Sequence, residues 1–382
     1  MDYPDKFGFY KVDTLKFYSR FDAEQVSAKT NKPLTWHFND EEFSAFDWTV
    51  EPAQSLEELY AIRARQIREQ YDYIVLWYSG GADSQNVLNS FVNNNIPVDE
   101  VASYINYDAT KKTDDWLNGE IYNLTVPAVK HIQETTQPWL KHTIIDISQI
   151  AVDFFKDRIN KFDWIYNTNS YLGPNNIART FLIENQPSWQ KLIGQGKRVG
   201  FVWGLEKPKV VGAYGKYSTT FVDTIDQAVP TAHQLNQPAG LFHELFYWSP
   251  DSKELLAKQA HTIKKFFKSA TATSPYLTDR VMKRTSAAVV EGKIKYLTLA
   301  GTNKLLYPGW EPVPFQVKPS SIIFSERDTW FFKLPDSDTA KHHWRNGIMH
   351  RWLKTDDSLK NDPTNMSKGF KTLTSKHYNL GT

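Results

Sequence analysis

The chain has 382 residues, 41% of them hydrophobic and 23% charged, and its 45 Lys and Arg against 43 Asp and Glu leave a formal net charge of +2. That balance predicts a globular protein with a sizeable core and gives no overall electrostatic case for a nucleic-acid partner. The absence of cysteine excludes disulfides, thiolate metal sites, persulfide carriers and a thiol nucleophile. The opening Met1-Asp2-Tyr3-Pro4-Asp5-Lys6 lacks the character of a leader, and no stretch reaches membrane-spanning length, so a cytoplasmic protein without a membrane partner is expected.

Residues 1–52 read as a β-rich segment, with candidate strands at 8–12 and 33–38 separated by turn-forming residues. Ser55 and Glu58 have the spacing of a capping box and predict a helix over about 55–70. The apolar run 73–78 then suits a central parallel strand covered on both faces, and it leads directly into Ser79-Gly80-Gly81-Ala82-Asp83-Ser84. Gly80 and Gly81 are expected to adopt backbone conformations closed to other residues, so that successive N–H groups converge on an anion. Ser84 is expected to open a helix with Val87, Leu88, Phe91 and Val92 on its buried face and its positive end toward the turn.

This hexapeptide resembles, at all six positions, the S-G-G-x-D-S loop of the PP-loop ATP pyrophosphatases of the adenine nucleotide alpha hydrolase superfamily. It is not a Walker A loop, because no Gly-Lys-Ser/Thr follows the glycines. The resemblance spans about residues 55–250 and implies binding of ATP with Mg²⁺ and cleavage between the α- and β-phosphates. On it, the backbone of Gly80, Gly81 and Ala82 with the hydroxyls of Ser79 and Ser84 would cradle pyrophosphate, and Asp83 would hold the metal and serve catalysis. The family's sulfur-transfer members depend on cysteine, so amine ligation is the expected acceptor step. The N-terminal segment is also too short for the glutaminase domain of relatives such as asparagine synthetase.

Further along, 100–106 reads as the next strand of a right-handed βαβ unit, which places Tyr104, Ile105 and Asn106 at its ligand end. The resemblance assigns Asn106 and Tyr107 to the adenine and ribose pocket. A helix over 118–136 should be interrupted at Pro127, 141–147 is a third strand, and 150–160 and about 175–194 read as helical. The strand 198–203 ends at Trp203-Gly204, which the resemblance places at the closing edge of the nucleotide site. The family's arginine after that glycine is missing. Lys207 stands near its place, either as a cation for the α-phosphate or as a solvated side chain.

A hairpin is expected over 210–222, and Asp223 with Asp226 form either a Mg²⁺ pair or a turn of solvated acids. The segment 243–250 leads into a helix over 251–268, and Thr271–Pro275 reads as a linker. Beyond it come a helix near 277–291, a Gly/Pro-rich stretch over 301–319, a strand pair near 321–333 and a helix near 337–353. His342, His343 and His350 on that last helix lack the spacing of a zinc site. The tail from Lys354 is polar and reads as solvated.

The expected fold is therefore α/β: an open, mostly parallel sheet with helices on both faces, a β-rich N-terminal segment (1–52), a nucleotide-binding domain (53–270) and a C-terminal α+β region (271–382). The expected activity is that of an adenylate-forming ligase with ATP and Mg²⁺ as cofactors. Its acceptor is recognised after the linker, by residues that contribute nothing to the ATP pocket. A nucleic-acid-modifying enzyme and a non-catalytic nucleotide-binding module stay open as alternatives.

Overall fold

A computed structural model of the chain describes residues 5–105, 118–168, 172–182, 186–213, 216–225, 228–230, 238–273, 303–311, 328–355 and 372–382. Strands β1 (Phe9–Val12), β2 (Leu15–Phe17) and β3 (Leu34–His37) form an antiparallel sheet in the order β2-β1-β3, so the β-rich N-terminal segment is present. It also contains a helix, Arg20–Thr30, that periodicity does not reveal. Its buried residues are Arg20, Phe21 and Ala23, one of them a charged side chain held by Glu24 and Asp223, so no apolar stripe of period 3.6 marks it.

Ser55 caps the helix Leu56–Gln70 as the capping box predicts, with reciprocal bonds between Ser55 and Glu58. That helix feeds β4 (Tyr73–Trp77). The chain then builds β5 (Glu100–Ile105) and β6 (Lys141–Asp146) on one side of β4, and β7 (Val199–Trp203) with β10 (Leu241–Leu245) on the other. The result is a five-stranded all-parallel sheet, β10-β7-β4-β5-β6, flanked by helices. Because strand order reverses between β4 and β7, their carboxyl ends border the crevice in which open α/β sheets hold ligands.

Period-two alternation sets the two faces of this sheet. Val75 and Trp77 lie level with Phe201 and Trp203. The indoles of Trp77 and Trp203 stack at 4.9 Å, and Trp189 of the helix Pro187–Gly194 packs edge-on against Trp77 and Phe201. Gly200 faces the other way, where a Cβ would stand 2.5 Å from the ring of Tyr71.

A third sheet joins the expected hairpin, β8 (Lys209–Ala213) and β9 (Lys216–Thr220), to the C-terminal β11 (Tyr378–Gly381) in the order β11-β9-β8. One core cluster runs through Phe7, Trp36, Leu76, Phe201, Tyr307 and Leu380, so the N- and C-terminal segments share a core with the central sheet. A second cluster, with Phe155, Trp164, Trp344 and Trp352, unites the helices Ser148–Lys156, Asp163–Tyr166, Pro174–Leu182 and Thr339–Thr355 with the helix Arg20–Thr30.

Several expectations change. The supposed linker is helical over Thr271–Thr273, as the end of the helix Lys253–Thr273, and its remainder lies outside the described residues. The segment at 241–245 is strand β10. Its Glu244 is buried against Arg63 and Tyr71, which hides the apolar pattern of an inner strand. Thr329–Phe332 is helical where a strand pair was expected, and the helix expected over 277–291 lies outside the described residues. The stretch 175–194 is two helices, Pro174–Leu182 and Pro187–Gly194. Pro127 falls in the first turn of the helix Val126–Thr135, immediately after a π-helical turn, Ile121–Thr125. Among the described residues no helix is long and apolar enough to cross a membrane.

Candidate functional site

The loop after β4 is closed by its own serines. The Ser84 hydroxyl donates to the Gly81 carbonyl at 3.0 Å and accepts from the Ser79 N–H at 3.3 Å, while the Ser79 hydroxyl accepts from the Gly81 N–H at 3.3 Å. Gly80 has φ +79°, in the region that favours glycine, and a Cβ there would stand 2.7 Å from Oγ1 of Thr125. Gly81 does not share this property. With φ −70° and ψ 156° it is the N-cap of the helix Ala82–Val92, which therefore starts two residues before Ser84. No side chain caps that helix, so its first-turn N–H groups keep their capacity to bind an anion.

Gly204, just past β7, closes against this loop from the neighbouring strand. A Cβ on Gly204 would lie 3.1 Å from the carbonyl carbon and oxygen of Asp83 and from Cα of Ser84. A side chain there would press on the loop backbone, so the glycine lets two backbones approach closely at the sheet's switch point.

Asp83 ties the loop to segments distant in sequence. Its Oδ1 pairs with Nζ of Lys207 and accepts from the hydroxyl of Tyr307. Its carbonyl accepts from the Tyr247 hydroxyl at 2.9 Å, which in turn accepts from Nδ2 of Asn86 at 2.9 Å. Burial raises both tyrosine hydroxyls well above the ordinary phenol range, and the charge of Asp83 adds to the effect. Both are therefore neutral donors.

A cavity of about 280 Å³ opens over the loop. Ser79 and the run Gly81–Ser84 form one side of it, and Trp77, Tyr78, Tyr104 and Trp203 form an aromatic wall. The charged groups on its lining are the carboxylates Asp83, Glu120 and Glu206 and the guanidinium of Arg179. Burial raises the Glu206 carboxyl, but Lys209, 2.8 Å away, and then Lys207 outweigh it and hold the group below the usual carboxylate range.

These residues fit a phosphate group. The helix end is uncapped, Gly80 leaves no room for a Cβ, and one buried donor on the cavity lining, the Trp77 indole N–H, has no hydrogen-bond partner among the described residues. No group of three or more His, Cys, Asp or Glu able to hold a metal occurs among the described residues. A Mg²⁺ that arrives on phosphates needs only one or two protein carboxylates, and Asp83 and Glu120 line the same cavity.

The structure therefore brings together Ser79, Gly81, Ala82, Asp83, Ser84, Tyr104, Trp203 and Gly204. Gly80 borders a neighbouring cavity behind the loop, and Lys207 reaches the site only through its ion pair. Asn106 and Tyr107 lie outside the described residues. Tyr307, from the segment expected to contribute nothing to the ATP pocket, does not line this cavity, but its hydroxyl donates to Asp83 of the loop. Asp223 is not a solvated acid. It is buried, 2.7 Å from Nη1 of Arg20, and bonded by Tyr10, while Asp226 lies outside the described residues. His343 accepts from the Trp164 indole at 3.1 Å inside the second core cluster. Glu120, Arg179 and Tyr307 escape sequence reasoning because only tertiary packing brings them to the loop.

Searched against protein-family models and against curated proteins, the chain matches none.

Proposed function

We propose that the protein is a PP-loop ATP pyrophosphatase with the nucleotide alpha hydrolase type of sheet, which cleaves ATP to AMP and pyrophosphate and activates an acceptor as an adenylate for amine ligation. One observation carries this reading: the complete Ser79–Ser84 hexapeptide stands between a central strand and a helix N-terminus, at the switch point of a parallel sheet. On this reading the first-turn N–H groups and the hydroxyls of Ser79 and Ser84 hold the pyrophosphate end, and Trp203 and Tyr104 flank the nucleoside. Asp83 and Glu120, which line the same cavity, would hold Mg²⁺, which supplies charge neutralisation on the phosphates. Catalysis then rests on positioning and on stabilising charge at the α-phosphate. The segment after residue 271, which brings Tyr307 to the loop, is assigned to acceptor recognition.

The test is incubation with α-labelled ATP, Mg²⁺ and pools of amino acids, nucleosides and nucleic acids. AMP with stoichiometric pyrophosphate supports the reading, and ADP with inorganic phosphate rejects it. The engagement of Asp83 by Lys207 and Tyr307 favours one second reading, a nucleotide-binding module that does not hydrolyse. Tight ATP binding with no turnover in any acceptor pool would select it.

A further inference from the structure

The charged lining of the cavity is mostly acidic, so a phosphate bound at the loop calls for a cation beside it. The lining carries three carboxylates, and Arg179 is the one lysine or arginine among its described residues. Lys207, the cation that the sequence suggests, is not part of that lining and directs its Nζ to Asp83. Arg179 comes from the helix Pro174–Leu182, outside the strand-loop-helix unit, and is only 6% exposed.

Its guanidinium is held against the aromatic wall. Nη1 donates to the Tyr104 hydroxyl at the end of β5, and the guanidinium carbon lies 4.9 Å from the Tyr104 ring centre and 5.9 Å from that of Trp203. Such a group has already lost its rotamer freedom, and a planar fork of donors matches phosphate oxygens. It shares the cavity with the loop and sits against the aromatic residues assigned above to the nucleoside, which on that reading favours the phosphate nearest the sugar.

We propose that Arg179 is the phosphate-binding cation of this cavity and confers selectivity for a nucleoside 5′-phosphate over the nucleoside. The inference rests on the nucleotide reading above. It assigns the charge-stabilising role to Arg179, and Lys207 becomes the counter-ion of Asp83.

The test is calorimetric titration of the full chain with AMP and with adenosine, in wild type, Arg179→Gln and Arg179→Lys. The ratio of the two affinities is read, because a loss of folded fraction lowers both ligands equally and cancels. Arg179→Gln is expected to cut the AMP-to-adenosine ratio about tenfold or more, in line with the loss of a charge-assisted hydrogen bond. Arg179→Lys, which keeps the charge but not the fork, is expected to cut it about threefold, and it decides alone if the Gln variant does not fold. An unchanged ratio, with both affinities kept or both reduced together, overturns the inference and leaves Arg179 as part of the wall. A wild-type chain that binds AMP, ATP and inorganic pyrophosphate not at all overturns the nucleotide reading itself, an outcome visible before any variant is made.

Discussion

The hydroxyl of Tyr307 donates to Oδ1 of Asp83, joining residues 224 positions apart. Lys207, whose Nζ lies 5.3 Å over the Tyr307 ring, shares that same oxygen. The loop aspartate is therefore tied to a segment that follows the long helix Lys253–Thr273. A cation that binds Asp83 through Oδ1 competes with these two donors, which would couple loading of the site to the position of 303–311.

Tyr307→Phe removes one of the competitors and leaves Lys207 in place. Stability should fall by about 1–2 kcal/mol, the low end for a buried hydrogen bond to a charged group. Affinity for Mg²⁺-ATP should stay level or rise. Urea denaturation and calorimetry measure the two quantities, and a denaturation midpoint equal to wild type would contradict the role given to this bond.

Gly204→Ala and Gly200→Ala should separate binding from stability. The Cβ at 204 meets backbone of Asp83 and Ser84 at 3.1 Å, which yields only if the loop shifts, so ATP affinity should drop about tenfold with the fold kept. The Cβ at 200 meets the buried Tyr71 ring at 2.5 Å, away from the loop, and should cost about 1–3 kcal/mol of stability as an overpacked core does. If both variants lose affinity and stability in the same proportion, the distinction between the two glycines is wrong.

What could be read from the sequence was what is local. The capping box at Ser55 and Glu58 and the strand into Ser79–Ser84 each depend on neighbours within a few positions, and each stands as expected, whereas at Pro127 the chain stays helical, the proline sitting in the first turn of Val126–Thr135 directly after a π-helical turn. Strand β10 was hidden because its Glu244 is buried through Arg63 and Tyr71, and the helix Arg20–Thr30 because Arg20 is buried through Asp223. Long-range ion pairs of this kind place charge where periodicity predicts apolar residues. Gly204 was visible as the end of a strand, but its reason, the backbone of Asp83, is tertiary. The same holds for Arg179, which no spacing connects to the loop.

His343 should contribute a defined pH dependence. Its Nε2 accepts from the Trp164 indole at 3.1 Å, so that nitrogen carries no proton in the fold, and burial lowers the ring's basicity. In the unfolded chain a histidine titrates near about 6.5. The folded value is lower, so this stabilisation is complete above the unfolded value and is lost as pH falls through it toward the folded value. Urea midpoints should therefore decline between about pH 7 and pH 5, and His343→Gln, whose carbonyl still accepts from Trp164 but does not titrate, should flatten the decline. His142, His261, His350 and His377, which burial also lowers, add to the slope that remains. An identical pH profile in the variant would show that His343 does not contribute.

The last prediction concerns the C-terminus. Strand β11 pairs antiparallel with β9, with Tyr378 opposite Thr219, and its Tyr378 and Leu380 are buried in the main core cluster. Tyr378 stacks on Trp48 at 5.3 Å and its hydroxyl reaches Asp40 at 3.3 Å, which ties the end of the chain to the N-terminal segment. Burying a large apolar side chain is worth about 1.5–3 kcal/mol, so ending the chain at residue 376 should cost about 3–6 kcal/mol for these two residues. Whole domains have only about 5–15 kcal/mol of net stability, and a chain ended near residue 270 would also lose Leu306, Tyr307, Trp344, Ile348 and Trp352, all buried. The longer truncation should therefore fail to fold, and it cannot serve as an isolated nucleotide-binding unit. Circular dichroism and urea titration of both truncated chains decide this: a wild-type midpoint after removal of 377–382, or a cooperative transition in the chain ended near 270, would show that the C-terminal segments are dispensable to the core.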